Sequence, residues 1–301
     1  KDYLEEARIR NIIRTYSDHI SLPIMLATKD GDTQINTGSA LWTRQKKDIT
    51  DEQYKEFYHH VGNVYDEPWL TLHNRAEGKI EYTNLMFIPS SKPFDLMNPD
   101  RKNRLHLYVK RVFITDECDD LMPAYLRFVR GIVDSEDLPL NVSREMLQHN
   151  VVVKRIRSAL MRRIFNELKK KAEKSPEEFT QFWQNFGAVL KEGLYEDHEN
   201  RDKLLEIVRF NSTASDDLIS LAEYVERMKK GQEEIFYISG EGLDLVKGSP
   251  QLEGFRARGI EVLLMTDPVD EFWLPMVGKF DDKPFTSATS GSLDLTKIKD
   301  D

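Results

Sequence analysis

Two hydrophobic periods alternate along the chain. Apolar residues fall at helical spacing in residues 2–16, and again in 50–61, where Tyr54, Phe57, Tyr58 and Val61 recur at i, i+3, i+4 and i+7. Thr50-Asp51-Glu52-Gln53 opens the second stretch with a capping box, so its aromatics read as core. Extended runs separate these helices. Residues 20–26 and a short strand around 33–37 are joined by the Asp30-Gly31 turn, and 69–73, 80–88 and 105–114 follow, the last as one long strand. Residues 89–104, with Pro93, Pro99 and a charged run at 100–104, read as an exposed excursion. Residues 122–133 mix apolar and basic positions at helical spacing and predict a helix that runs into a polar loop. Together these elements predict a large α/β subdomain over 1–148.

From 151 to 172 the pattern is one long helix, with Val152, Ile156, Ala159, Leu160, Ile164 and Leu168 on one face. Ser175-Pro176-Glu177-Glu178 then supplies an N-cap, a proline at the first helical position and a third-position glutamate for a second helix. Residues 149–193 are therefore expected to be a helical connector. Beyond it, helices over 201–210 and 221–230 lead to a buried strand at 235–238. A helix from Ser249-Pro250 to Gly259 then leads to a second strand at 260–265, and a strand-helix-strand unit of this length implies parallel pairing. A small α/β subdomain over 194–285 results, with 286–301 read as a linker tail. The fold class is α/β (α+β).

Composition narrows the function. The formal charge is −9, from 52 acidic against 43 basic residues, which disfavours nucleic acid or an anionic membrane as the main partner. No apolar run approaches the ~18–20 residues that a membrane helix requires. The single cysteine, Cys118, excludes an internal disulfide, and a reducing cytoplasmic setting fits. Cys118 lies among acidic residues, the wrong setting for an activated thiolate. The seven histidines are scattered without metal-ligand spacing, so no metal site is expected. No phosphate-cradling glycine loop is visible either. The first residues read as a helix already under way, so a piece of a longer protein is expected.

The stretch richest in chemistry is 133–148, Val-Asp-Ser-Glu-Asp-Leu-Pro-Leu-Asn-Val-Ser-Arg-Glu-Met-Leu-Gln, read as a loop between two helices. Ser143 is a good N-cap for the helix that follows, which puts Arg144 in a first turn where a cation is electrostatically misplaced. One reading makes Arg144 and the helix N-terminus an anion receptor. The other pairs Arg144 with Asp134, Glu136 or Asp137 to pin the loop. Elsewhere, Trp42 and the Phe272-Trp273 pair sit outside any periodic core face, and are expected to be partly exposed and to contact other proteins.

Four stretches, Leu41-Trp42-Thr43-Arg44, residues 107–114, residues 133–148 and residues 260–264, together closely resemble the middle region of the heat-shock protein 90 chaperones. The likeness extends over essentially the whole chain, from about residue 2 to residue 285. It implies two α/β subdomains joined by a helical connector. It further implies that ATP, with magnesium, sits in a separate N-terminal domain, and that domain closure brings Arg144 onto the γ-phosphate. Gln148 would help to shape the catalytic loop. Unfolded or partly folded clients, the N-terminal nucleotide-binding domain and a C-terminal domain that makes a homodimer are the implied partners. The chain alone is expected neither to hold ATP tightly nor to hydrolyse it. The alternative is a stand-alone module that binds clients or adaptors without any ATPase role.

Overall fold

The aromatic stripe of residues 50–61 lies, as its spacing requires, against a sheet. The computed structural model describes residues 5–29, 31–98, 104–291 and 293–298, with only the backbone of Arg144 and Lys297. The chain forms two compact units, Lys1–Arg162 and Arg163–Asp301.

The first unit opens with α1 (Glu6–Tyr16) and the hairpin of β1 (Met25–Thr28) and β2 (Gly31–Gln34). Gly31, at φ 115°, follows Asp30, which lies outside the described residues. Then come α2 (Asp51–Gly62), β3 (Pro68–Ala76), β4 (Tyr82–Pro89), β5 (Arg104–Val109), β6 (Val112–Thr115), β7 (Arg130–Ser135), the one-turn α3 (Arg144–Leu147) and α4 (Val151–Lys174). The sheet order is β3-β4-β7-β5-β6, with β5 and β7 parallel and the other neighbours antiparallel. Both halves of the Thr50–Gln53 capping box form. Through it α2 is set with Tyr58 fully buried, 5.2 Å from the Phe87 ring of β4, and with Tyr54, Phe57 and Val61 packed on the same cluster.

Two expectations fail here. Residues 122–133 are not a helix: 124–126 make a single 3₁₀ turn, and β7 is the middle strand of the sheet. Every residue of β7 is buried, so the polar alternation that marks a half-exposed strand is missing, and the basic residue that mimics helical amphipathicity, Arg130, is itself inside. Its guanidinium donates through Nη1 to the Gly62 carbonyl at the end of α2. Gly131 is required, since at φ 126° an added Cβ would fall 2.8 Å from the Met86 Cα and closer still to the Leu85 carbonyl. The strand expected over 105–114 is a hairpin, because Lys110 and Arg111 adopt left-handed conformations, φ 50° and 67°, that turn β5 into β6.

The second unit contains the remainder of α4, followed by α5 (Pro176–Glu196), α6 (Arg201–Ile207), β8 (Asn211–Ser212), α7 (Leu221–Glu226), β9 (Ile235–Ser239), α8 (Leu243–Lys247), α9 (Glu253–Arg256), β10 (Leu263–Met265), α10 (Asp270–Val277), β11 (Lys279–Phe280) and β12 (Lys283–Ser287). Its sheet runs β11-β12-β9-β10-β8, and β9 pairs parallel with both β10 and β12. Pro176 begins α5 as expected, although the Ser175 side chain makes no capping bond. The Ser220–Glu223 capping box forms in full. Helix α6 ends before residue 210 because Phe210 pairs with Ile219 as an antiparallel bridge.

The tail reading of 286–301 is corrected for its described residues. Ala288 and Ile298 are buried in one cluster with Phe236, Leu252, Phe255 and Val262, and Leu293 and Leu295 pack against it. Apolar residues there are too sparse to show a period, yet they are enough to close one side of the core.

Candidate functional site

The loop after β7 is built on its last buried residue. The Ser135 hydroxyl accepts hydrogen bonds from the Asp137 and Leu138 amides, at 3.3 and 3.2 Å. Across the sheet, the Asp137 carboxylate accepts from the Glu81 amide at 2.6 Å, and the Glu136 amide donates to the Glu81 carbonyl at 3.0 Å. Leu138, Val142 and Leu147 turn inward and are buried. The loop is thus held by both polar and apolar contacts. The Ser143 hydroxyl caps α3 by accepting from the Met146 amide, as the sequence predicts, and Arg144 is the first helical residue.

Helix α3 has four residues and ends at Gln148, which is exposed. Its macrodipole is correspondingly small, so the anion-receptor reading loses its helix contribution and rests on the guanidinium alone. The Arg144 side chain lies outside the described residues. Of its proposed pinning partners, Asp137 holds Glu81 and Asp134 is inside the sheet, while Glu136 is exposed. Beyond Gln148 the chain reverses at His149, φ 59°, whose amide donates to the Asp120 carboxylate at 2.7 Å. Asn150 then caps α4, its Oδ1 accepting from the Val152 and Val153 amides. The exposed turn carrying Arg144 and Gln148 is therefore fixed at both ends. Leu140, Met146 and Val151 are also exposed.

Both tryptophans correct the expectation of exposure. Trp42 is 1% exposed and donates through Nε1 to the Asp134 carboxylate at 2.8 Å, while its carbonyl contacts the His73 ring Nε2 at 2.8 Å. Trp273 is fully buried, with Nε1 donating to Asp270 at 2.8 Å. Polar surroundings in sequence had suggested solvent. In each, the indole N–H finds a buried carboxylate, which is the usual condition for burying that ring. Phe272, by contrast, is 63% exposed, with its ring 6.4 Å from that of Tyr195.

Sequence reading missed the groups that hold these side chains. Asp134 is 2% exposed and accepts from Trp42 Nε1 and from the Arg111 amide, 3.1 Å away. Burial holds its carboxyl above the usual range, although both hydrogen bonds pull the other way. Lys191 on α5 bridges Asp270 at 2.6 Å and Asp267 at 2.7 Å, so α10 is tied to α5 by buried charge beside Trp273. The signals were present as unpaired Asp and Lys residues in apolar contexts, but their partners are distant in sequence. Cys118 is buried, and burial, reinforced by Asp120 and Asp119, pushes its thiol up to about 11.

Comparison with known proteins agrees with this architecture. The profile of the Hsp90 protein family matches residues 27–301. Chaperone protein HtpG of Paramagnetospirillum magneticum is 58% identical over 299 residues, 99% of this chain and 48% of that protein. The protein of the same name from Roseobacter denitrificans is 55% identical over 300 residues, again 48% of its length. The chain thus spans about half the length of the curated relatives it matches. Among solved structures, the middle domain of a putative heat shock protein of Plasmodium falciparum superposes with a TM-score of 0.73 at 32% identity, covering 84% of this chain and all of that one. On the breadth of that family match, the chain belongs to the Hsp90 protein family.

Proposed function

We propose that the chain is the middle segment of an ATP-dependent cytoplasmic chaperone, and that Arg144 contacts the γ-phosphate of ATP held by a separate N-terminal domain. One observation supports this reading above others: the turn bearing Arg144 and Gln148 is exposed, yet anchored on one side to Ser135 and Glu81 and on the other to Asp120. A guanidinium on such a turn suits the outer oxygens of a phosphate, delivered when domains close. The purine, ribose and magnesium fall to the other domain. Positive charge brought into a water-poor site late in the reaction stabilises charge on the transferred phosphoryl. Gln148, four residues along the same turn, helps to position that loop. In this reading the full-length protein is a homodimer through a further C-terminal domain.

The test is Arg144→Ala in the full-length protein. Turnover is expected to fall about tenfold or more, with ATP affinity and melting temperature nearly unchanged, because the contact forms only in the closed state. Arg144→Lys is expected to rescue poorly, since an ammonium lacks the bidentate fork. Full turnover with a lowered melting temperature would remove Arg144 from the chemistry and make it a loop pin.

A second reading, a binding surface for unfolded clients without ATPase work, now rests on Phe272 alone, since Trp42 and Trp273 are inside. Phe272→Ser in the full-length protein is expected to weaken client binding with the fold retained. Unchanged affinity removes this residue from client contact.

A further inference from the structure

In the second unit, α6, α7 and the β11–β12 turn enclose a groove of about 610 Å³. Its floor is apolar, made by Leu205, Ala222, Val225 and Phe280. Leu205 is buried, Val225 and Phe280 are half-buried, and Ala222 is open to solvent. The rim is acidic, with Asp202 and Glu206 on α6, Glu226 on α7, and Asp281 and Asp282 at the turn. Lys279, the single cation among the lining residues, is 2.6 Å from Asp282, and Glu206 pairs with Lys169 at 2.6 Å. Asp202, Glu226 and Asp281 form no ion pair among the described residues. The floor is bounded by β11, the edge strand of its sheet.

Five carboxylates against one cation around one apolar concavity select for a particular chemistry. An apolar side chain seated on Val225 and Phe280 leaves water, and the rim attracts cations and repels anions at the same place. A purely basic ligand uses only the rim, and a purely apolar one leaves the rim charges unanswered. We propose that this groove docks a polypeptide segment of a partner protein in which one or two bulky apolar residues are flanked by lysine or arginine. The role given to Arg144 plays no part in this, as that residue belongs to the other unit.

The experiment is a fluorescence-anisotropy titration of the 301-residue chain with three short labelled peptides. The first has a Leu-Phe pair between lysines and arginines; the second has glutamates in place of the basic residues; the third has serines in place of Leu-Phe. Binding is expected for the first only, weakening as salt rises. The variant Asp202→Asn/Glu226→Gln/Asp281→Asn is expected to bind it about tenfold more weakly or worse. Ala222→Arg, an exposed position that fills the groove and adds a like charge, is expected to do the same. Should the triple variant melt early, Ala222→Arg and the salt dependence of the unaltered chain decide. The proposal is overturned if the glutamate or serine peptide binds as well as the first, or if Ala222→Arg leaves affinity unchanged.

Discussion

Replacing Trp42 by phenylalanine keeps an aromatic ring among His19, Phe57 and Tyr108, whose centroids lie 4.7, 5.8 and 4.9 Å from it, but removes the N–H that Asp134 accepts. A buried hydrogen bond to a charged group contributes roughly 1.5–3 kcal/mol. The smaller ring leaves space worth about 1 kcal/mol more at ~24 cal/mol per Å³ of cavity. The expected loss at neutral pH is thus about 2.5–4 kcal/mol. Its pH dependence separates the two contributions. Burial already raises the folded-state pKa of Asp134 above 3.8. The folded state therefore binds more protons than the unfolded state between those values, and this group makes stability fall as pH rises through that window. Losing the Trp42 donor raises the folded pKa further and deepens the fall, by about 1.36 kcal/mol per unit. Trp42→Phe should therefore cost most at about pH 7 and less at low pH, where the carboxyl is neutral in both proteins. Hydrogen exchange of the β7 amides, corrected for intrinsic rates, reads the opening energy of this unit. In an Asp134→Asn background the pH dependence should vanish. Equal costs at both pH values, or an unchanged pH dependence in that background, would refute the assignment of Asp134 as the titrating partner.

Three further outcomes follow from packing. Gly131→Ala should destabilise the first unit by about 4 kcal/mol or more, adding overpacking against β4 to left-handed strain, and near-wild-type exchange of β7 would contradict the close approach of the strands. Lys191→Met should cost the second unit about 3–5 kcal/mol by stranding Asp270, which is fully buried; a loss under ~1 kcal/mol in a denaturant titration would mean the pair contributes no net stability. Ile298→Ala should lower the stability of the second unit by about 2 kcal/mol, the lower end for an apolar core truncation, whereas a residue in a loose tail would change it by less than ~0.5 kcal/mol.

What the sequence made legible was local. The capping boxes at Thr50 and Ser220, the Ser143 cap and the proline start of α5 each depend on residues within a turn of one another, and each element begins where those residues place it. The misread features depend on partners far along the chain. Trp42 looked solvent-facing because its acceptor, Asp134, lies 92 residues away. Strand β7 looked helical because its period was erased by burial on both faces, a property of the sheet around it. In the loop, the capped start at Arg144 was readable from Ser143, whereas the anchors at Ser135, Glu81 and Asp120 were invisible until the sheet brought them together.

Those anchors give a reason for the unusual polarity of the middle strand. From one buried strand, Arg130 reaches the end of α2, Asp134 holds Trp42 and the turn between β5 and β6, and Ser135 holds the loop that leads to Arg144. Apolar residues in these places would bury as well and avoid the desolvation of a carboxylate and a guanidinium, whose Nε lacks a partner, as does the Asn84 Oδ1 on β4. What they would not supply is register. Shifting β7 by one residue turns each polar group to the opposite face, leaving Trp42 Nε1, the Arg111 amide and the loop amides without acceptors at once. Sliding is therefore penalised at three separate elements, and the position of the Arg144 turn becomes a consequence of how β7 pairs with β4 and β5.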